Sequence, residues 1–205
     1  MLRLLSHKLK RYAKGWLIFF LFVTDVLFLG YLMPAAGNAV TGEAATVPID
    51  LMFFYTPQTV YKIIADYGAT ARETYLSLSL SIDIAHPIVY TLLLSLLITW
   101  LFQKAYDTRS KMQRLNVVPF AAFAADLLEN AGIITMISIY PKTLAVLAWL
   151  TTFFTMSKWI FAGVSVVLVV IGFIAWITKT QRENRKHRRD SSHRSSRSMN
   201  TTPRK

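Results

Sequence analysis

Cysteine is absent from this chain of 205 residues, and charged residues are scarce at 17%. The absence of thiols excludes disulfide scaffolds, thiolate nucleophiles, iron–sulfur clusters and zinc sites with cysteine ligands. Hydrophobic residues make up 54% of the sequence, whereas soluble domains have roughly 45–50% apolar and about 25% charged residues. This composition excludes a soluble globular domain, a disordered chain and a collagen-like chain, and it predicts a membrane protein.

The apolar residues are concentrated in four runs, each close to or longer than the ~20 residues with which a helix crosses a ~30 Å hydrocarbon layer. A β-barrel would show weaker, alternating segments. The alternation within 75–82 is only the start of a much longer apolar run. We therefore predict an all-α, polytopic membrane protein built as a bundle of four transmembrane helices. The predicted spans cover residues 16–33, 75–102, 117–140 and 157–178.

Basic residues are confined largely to three short segments, since 19 of the 23 Lys and Arg lie in 1–15, 103–116 and 179–205. In a four-span topology these segments share one side, which the positive-inside rule makes cytoplasmic. Trp16, Trp100 and Trp176 mark the predicted cytoplasmic ends of their spans, as aromatic-belt residues do. We therefore expect an integral protein of the plasma membrane with both termini in the cytoplasm. A cleaved signal peptide that ends near Pro34 is an alternative interpretation of the first span.

The outer side is predicted to hold residues 34–74, of which 34–50 have the small, polar composition of an irregular loop. A short helix over 57–67 follows, because Thr56 suits an N-cap, Pro57 the first helical position and Gly68 the C-terminal stop. After Pro141 the apolar stretch is longer than one crossing requires. Residues 143–156 are therefore expected either to project above the membrane and pack on the outer helix, or to lie along the interface.

The C-terminal segment 179–205 follows the transmembrane domain of residues 16–178 and carries ten basic and two acidic residues. Its composition predicts a disordered tail. Basic clusters beside a span attract anionic lipid headgroups, at about 1 kcal/mol per residue near the surface. Nucleic acid is not expected as a partner, because no aromatic side chain is available to stack on bases. The predicted lipid contacts are Arg182, Arg185, Lys186, Arg188 and Arg189.

Ionisable residues inside a membrane are costly, which makes them candidates for function. Four polar side chains recur at helical spacing on the second span, and three share one face of the third. Such faces are expected to point into the bundle, because charge that faces lipid is far more expensive. With one acid on the first span and one lysine on the fourth, the candidate pocket comprises Asp25, Asp83, His86, Tyr90, Asp126, Glu129, Asn130 and Lys158.

Counting ~1.5 Å per residue from the cytoplasmic Trp or Pro residues predicts two layers of these side chains. The midplane layer holds Asp25, Asp126, Glu129, Asn130 and Tyr90, with His86 just above it. The outer layer holds Asp83 and Lys158, which could then pair. Because no basic residue shares the midplane, we expect at least one of its three acids to stay protonated at neutral pH. The structural alternative is that these side chains hold the helices together by hydrogen bonds.

The spacing of Asp83 with His86, and of Asp126 with Glu129, resembles the i, i+3 ligand pairs of metal sites in helix bundles. The predicted height difference of about 16 Å between Asp83 and Asp126 argues against a shared site. A smaller site from His86, Glu129 and Asp25 is left open, and no metal or other cofactor is predicted. The chain has no phosphate-binding glycine loop, nucleophile elbow or zinc-protease motif.

Short motifs recur through the central part of the chain. They are Tyr55-Thr56-Pro57, Tyr61, Tyr67-Gly68, Arg72, Tyr75, Asp83, Pro87, Tyr90, Asp126, Glu129-Asn130 and Lys158-Trp159. With these residues the chain resembles a family of uncharacterised four-span integral membrane proteins over about residues 50–165. The resemblance implies a four-helix membrane fold and brings no known activity.

The leading hypothesis from the sequence is a multi-pass membrane protein with a buried acidic pocket between helices. This pocket would bind a cation, a proton or an amphipathic small ligand, as in a transporter or receptor. A lipid-modifying membrane enzyme that uses Glu129, Asp126 and His86 as acid and base groups is the first alternative. The second is an accessory protein whose polar residues specify helix pairing with another copy or with a partner membrane subunit.

Overall fold

The computed structural model describes residues 2–41, 48–107 and 110–199, with side chains described for 4–40, 48–107 and 110–185. Residues 42–47 of the predicted outer loop and 200–205 of the predicted tail lie outside these ranges. Every regular element in the described ranges is a helix, which confirms the all-α prediction. The α-helices are α1 (Leu2–Tyr12), α2 (Gly15–Leu27), α3 (Met33–Thr41), α4 (Pro57–Asp66), α5 (Gly68–Ser79), α6 (Ile82–Ala105), α7 (Pro119–Ile139) and α8 (Ala145–Met199). A π-helical turn covers Phe28–Leu32, and 3₁₀ helices cover Ile49–Leu51 and Lys111–Val117.

Four helical segments of the described chain are long and apolar enough to cross a membrane. They are Gly15–Val40, Gly68–Ala105, Lys111–Ile139 and Ala145–Arg185. The number of candidate spans in the described chain therefore equals the predicted four. The orientation of the termini and the insertion into a bilayer stay predictions.

The start of the predicted outer loop is helical, which differs from the prediction, whereas the helix at its end agrees with the prediction. The first helix continues through α3, so 34–41 is not irregular. The π-helical turn shifts the backbone hydrogen bonds just before Pro34, whose ring would otherwise break the helix. In α4, Thr56 Oγ1 accepts a hydrogen bond from the Thr59 backbone N at 3.2 Å and Pro57 starts the helix. Gly68 has a φ of +71°, which suits a helix stop.

The second predicted span is interrupted between α5 and α6. Ser81 departs from helical geometry, with φ −121° and ψ −75°. Its hydroxyl donates to the backbone oxygens of Ser77 and Leu78 at 3.0 and 3.2 Å. Serine side chains compete with the helical ladder in this way, which explains a break that the apolar pattern alone does not predict.

Helix α8 extends beyond the predicted span at both ends. Residues 145–156 form its first turns, and Ala148 is buried in a cluster with Ile64 of α4, which matches the expectation that this part packs on the outer helix. At the other end the helix continues to Met199, where the composition predicts disorder. Arginine, lysine, glutamine and glutamate in 179–189 are good helix formers, so local propensity explains this continuation without tertiary packing.

Helices α6, α7 and α8 form the tightly packed centre of the bundle. Gly132 of α7 allows close approach, because an added Cβ would lie 2.2 Å from Thr151 Oγ1. Gly172 of α8 likewise allows close approach to α6, because an added Cβ would lie 2.8 Å from Phe102 Cε1. By contrast, α2 packs mainly on α6. Only 6% of the apolar stretch of the first span is buried, against 44% of the corresponding stretches in the second and third spans. The first span therefore lies at the edge of the bundle.

Candidate functional site

A cavity of about 300 Å³ lies between α2, α6, α7 and α8, and we call it the chamber. Its polar lining consists of Asp25, Asp50, Asp83, His86, Tyr90, Asp126, Asn130 and Lys158. Seven of the eight residues proposed from the sequence therefore lie together around one cavity. The eighth, Glu129, is fully buried behind Lys158 and does not line the chamber.

Lys158 provides the positive charge at the chamber wall. Its Nζ lies 2.6 Å from Glu129 Oε2 and 3.9 Å from Asp126 Oδ1, and it donates a hydrogen bond to the backbone oxygen of Asp50 at 3.0 Å. The predicted pairing of Lys158 with Asp83 is therefore wrong. The premise that no basic residue lies at the height of the midplane acids is also wrong, because Lys158 contacts both Glu129 and Asp126.

The error lies in the reference points used for height. Asn116 Nδ2 donates to Thr99 Oγ1 at 2.9 Å, so Asn116 lies near the level of Trp100, and Pro119 lies about 4.5 Å further into the bundle than that reference. Gly172 lies against Phe102, close to the same level. Glu129 follows Asn116 by 13 residues and Lys158 precedes Gly172 by 14, so both rise about 20 Å from there.

Because of this offset between the helices, the two predicted layers of polar side chains form a single layer. Asn130 Nδ2 donates to the backbone oxygen of Asp83 at 2.9 Å and lies 3.4 Å from Asp126 Oδ1. Asp83 and Asp126 thus share a neighbour, which contradicts the predicted separation of about 16 Å. Tyr90 donates its hydroxyl to Asp126 Oδ2 at 3.0 Å, and Ser79 donates to Asp83 Oδ2 at 3.0 Å. One hydrogen-bonded network therefore connects α6 with α7.

His86 and Asp25 form a second pair of facing ionisable side chains at the edge of the bundle. His86 Nε2 lies 3.2 Å from Asp25 Oδ1, although the alignment is not that of a hydrogen bond. The imidazole ring also contacts the rings of Phe28 and Tyr90, with centroids 5.4 Å apart in each case. This pair joins α2 to α6 where the chamber meets the apolar surface of the first span.

A segment missed by the sequence analysis closes the end of the chamber that lies on the predicted outer side, and we call residues 48–56 the outer strap. Asp50 lines the chamber and accepts a hydrogen bond from the Tyr75 hydroxyl at 2.9 Å. Thr152 and Trp159 of α8 donate to the backbone oxygens of Tyr55 and Met52 at 2.9 and 3.3 Å. The available signal was one acid within an apolar run, Val47 to Tyr55, that follows a turn-rich loop.

Tyr55 anchors the strap to the charged centre of the bundle. Its hydroxyl lies 3.3 Å from Thr155 Oγ1, which donates to Glu129 Oε1 at 2.9 Å. Burial raises the pKa of Tyr55, and the nearby Glu129 carboxylate raises it further. The phenol therefore stays neutral and remains a hydrogen-bond donor to the network.

Two further cavities adjoin the chamber. An outer cavity of about 540 Å³ shares Leu29, Met33, Asp50, Leu51 and Asp83 with it. A groove of about 580 Å³ between α2 and α8 shares Asp25, Leu93, Leu94 and Val166, and its other lining residues are apolar or glycine. We call this second cavity the apolar groove. Charged and apolar surfaces thus meet end to end at Asp25.

Metal ligation is not supported by the residues that the structure describes. Within them, no group of three or more His, Asp or Glu side chains could hold a metal ion together. The smaller site left open by the sequence is not assembled, because Glu129 faces Lys158 and Thr155 while His86 faces Asp25.

The predicted lipid contacts lie on the C-terminal part of α8. Arg182 and Arg185 are exposed there. The side chains of Lys186, Arg188 and Arg189 lie outside the described residues. Contact of this segment with anionic headgroups stays a prediction.

Comparisons of the chain with protein-family models, with curated proteins and with solved structures find no match. The resemblance to a family of four-span membrane proteins therefore stays a prediction.

Proposed function

We propose that this chain is a multi-pass membrane protein that binds an amphipathic small molecule, with the polar head in the chamber and the apolar part in the groove. The observation that carries the proposal is that the two cavities adjoin each other and share Asp25, Leu93, Leu94 and Val166 in their walls. Binding pockets are typically apolar with a few converging polar groups. Here the polar groups are gathered at one end, which is the arrangement that an amphiphile requires.

The charge of the chamber favours a headgroup that is positive or rich in hydrogen-bond donors. Four carboxyl groups line it, against one lysine, Lys158, and one histidine, His86. Lys158 is already engaged by Glu129 and by a backbone oxygen, and His86 lies beside Asp25. An anionic headgroup would therefore face carboxyl groups with no unpaired cation beside them. An amine or a polyol could instead donate hydrogen bonds to these carboxyl groups.

Access from the bilayer is supported by the loose attachment of the first span. The apolar groove is bounded by α2, which belongs to the first span, and only 6% of the apolar stretch of that span is buried. A ligand dissolved in lipid would reach the groove sideways, without crossing water. Its head would then enter the chamber past the pair of Asp25 and His86.

The proposed orientation places both termini in the cytoplasm of a cell bounded by the plasma membrane. Five basic residues and no acid lie in 1–15, which favours the cytoplasmic side. Trp100 and Trp176 lie together with ring centroids 5.4 Å apart, and Lys104 Nζ lies 4.0 Å from the Trp100 ring. Tryptophan and lysine in contact are typical of a membrane interface. Arg182 and Arg185 would then face anionic headgroups of the inner leaflet.

The test is photolabelling of the purified full chain in lipid nanodiscs. The probe is a long-chain alkylamine with a diazirine on its chain, and labelled peptides are identified by mass spectrometry. Labels are expected on peptides of α2, α6 and α8 that line the groove. Labelling that is spread over all lipid-facing surfaces alike would contradict the proposal.

A matched pair of variants makes the test specific. Val166 lines both the groove and the chamber, whereas its neighbour Val167 lines neither. Their exposed fractions are nearly equal, at 53% and 55%. Val166→Trp should fill the junction and abolish groove labelling, while Val167→Trp should leave it unchanged. Equal labelling of the two variants would contradict the proposed function.

A further inference from the structure

A cluster of tryptophan and lysine side chains lies at the end of the apolar groove that is remote from the chamber. Trp100 lines this end and makes an edge-to-face contact with Trp176, with ring centroids 5.4 Å apart. Lys104 Nζ lies over both rings, 4.0 Å from the Trp100 centroid and 5.1 Å from that of Trp176. Lys179 Nζ donates a hydrogen bond to the Lys104 backbone oxygen at 3.1 Å. Two ammonium groups are therefore held beside the groove, and we call these four residues the basic cluster.

The positive charge of the basic cluster is not neutralised by a carboxylate within the described part of the chain. Neither Lys104 nor Lys179 belongs to an ion pair there, and neither do Asp107 and Glu183, the acids closest to them in the sequence. A lysine ammonium can donate three hydrogen bonds, and phosphate oxygens accept strong, charge-assisted hydrogen bonds from it. An anion of the phosphate type therefore matches this end of the groove.

The groove itself has the depth and the opening that the acyl chains of a phospholipid need. From Gly15 to Asp25 it extends along α2 for about 15 Å by helical rise. This distance is half of the ~30 Å hydrocarbon layer, and so the depth of one leaflet. Phe19 and Phe22 line the groove and are exposed, so it opens sideways to lipid. Its volume of about 580 Å³ admits more than one alkyl chain.

We propose that the basic cluster and the apolar groove together form a site for one anionic phospholipid. Its phosphate would contact Lys104 and Lys179, and its acyl chains would lie along the groove. Basic pockets between transmembrane helices bind anionic headgroups in this way. A zwitterionic phospholipid binds more weakly, because its own ammonium group offsets the charge of its phosphate. The site uses the groove and not the chamber, so it does not rest on the proposed function.

The two lysines can be changed without disturbing the packed centre. Lys104 is exposed and Lys179 is half-buried, so the variants are Lys104→Gln, Lys179→Gln and the two combined. Loss of one lysine near a headgroup should weaken binding about fivefold. Lys111→Gln is the matched control. Lys111 is an exposed lysine on the same predicted side of the membrane, but it does not line the groove and contacts neither ring of the basic cluster.

The experiment is a titration of the purified full chain in detergent with phosphatidylglycerol, followed by native mass spectrometry. Phosphatidylcholine is titrated in parallel as the zwitterionic lipid. Wild-type protein should bind the first phosphatidylglycerol at least about fivefold more tightly than phosphatidylcholine. This affinity should fall in each single variant, fall further in the double variant and stay unchanged in Lys111→Gln. Soluble glycerol phosphate in excess should not compete, because it has no acyl chains.

Four results would overturn the lipid site. They are equal affinity for the two lipids, unchanged affinity in the double variant, equal losses in Lys104→Gln and Lys111→Gln, which would indicate diffuse attraction, and full competition by glycerol phosphate, which would indicate a site for a free anion.

The alkylamine photolabelling described above decides the proposed function separately. If alkylamine labels the groove and phosphatidylglycerol is not preferred, only the lipid site is wrong. If phosphatidylglycerol is preferred as expected and alkylamine does not label the groove, only the proposed function is wrong.

Discussion

Two pairs of facing ionisable side chains stand in different surroundings within one bundle. Glu129 and Lys158 join α7 to α8 in the tightly packed centre, where Thr155 and the Asp50 backbone oxygen complete their contacts. Asp25 and His86 join α2 to α6 at the edge, with exposed side-chain fractions of 15% and 14%, and the facing atoms Asp25 Oδ1 and His86 Nε2 make no hydrogen bond. The central pair thus has further hydrogen bonds to the protein, at Glu129 Oε1 and Lys158 Nζ, whereas both residues of the edge pair line the chamber and their facing atoms are available to a ligand.

The largest effect is expected from Lys158→Met. This change leaves Glu129 and Asp126 buried without their counter-charge, and breaking a buried pair from one side costs about 3–5 kcal/mol of unfolding free energy. The measurement is unfolding in mixed micelles by titration with sodium dodecyl sulfate. The double variant Lys158→Met with Glu129→Gln should recover much of the loss, because no buried charge of the pair then remains.

A control for this change is Lys62→Met on α4. Lys62 pairs with Asp66 on the exposed surface at 2.5 Å, and exposed pairs of this spacing contribute about 0.3–0.5 kcal/mol. If Lys158→Met costs no more than Lys62→Met, the central pair is not the structural contact described above.

A smaller effect is expected from Gly132→Ala, which tests the packing of the centre directly. The added methyl group would lie 2.2 Å from Thr151 Oγ1, and that hydroxyl is held by the Leu147 backbone oxygen at 2.8 Å. Forcing a methyl group into such a contact costs about 1–3 kcal/mol. Gly30→Ala after α2 meets nothing within 4 Å and should leave the unfolding midpoint unchanged. Equal midpoints for the two variants would contradict the difference in packing.

The smallest effect on stability is expected from Asp25→Asn. The facing atoms of Asp25 and His86 make no hydrogen bond, and polar contacts between membrane helices contribute about 0.6 kcal/mol on average, so the loss of this contact should change the unfolding free energy by less than about 1 kcal/mol. The same titration gives the value. A loss as large as that of Lys158→Met would remove the distinction between the two pairs, and Asp25 would then be a structural residue rather than one available to a ligand.

The sequence predicts the helices of this fold well, because their signals are local. The four apolar runs, the Thr56 cap, Pro57 at the first helical position and the Gly68 stop all describe short stretches of chain. The spacing of Asp83, His86 and Tyr90 likewise places them together on one helix face, and the structure brings all three to the chamber.

Heights and partners could not be predicted as well, because they depend on how helices are offset against each other. The offset follows from contacts such as Asn116 with Thr99, which link distant parts of the sequence. Pro119 marks the start of α7 and not the edge of the membrane, so counting from it gave Glu129 the wrong neighbours. Asp50 was missed for the same reason, since only the fold brings the outer strap to Tyr75 and Lys158.

The outer strap has a consequence for the order in which the protein is assembled. Its anchors on α8 lie about a hundred residues later in the chain, with separations of 97 to Thr152 and 108 to Lys158. During synthesis the strap and the acids of α7 leave the ribosome before Lys158, the lysine that pairs with Glu129. The strap therefore gains these anchors only when α8 is present, and a chain truncated before α8 lacks the counter-charge of Glu129.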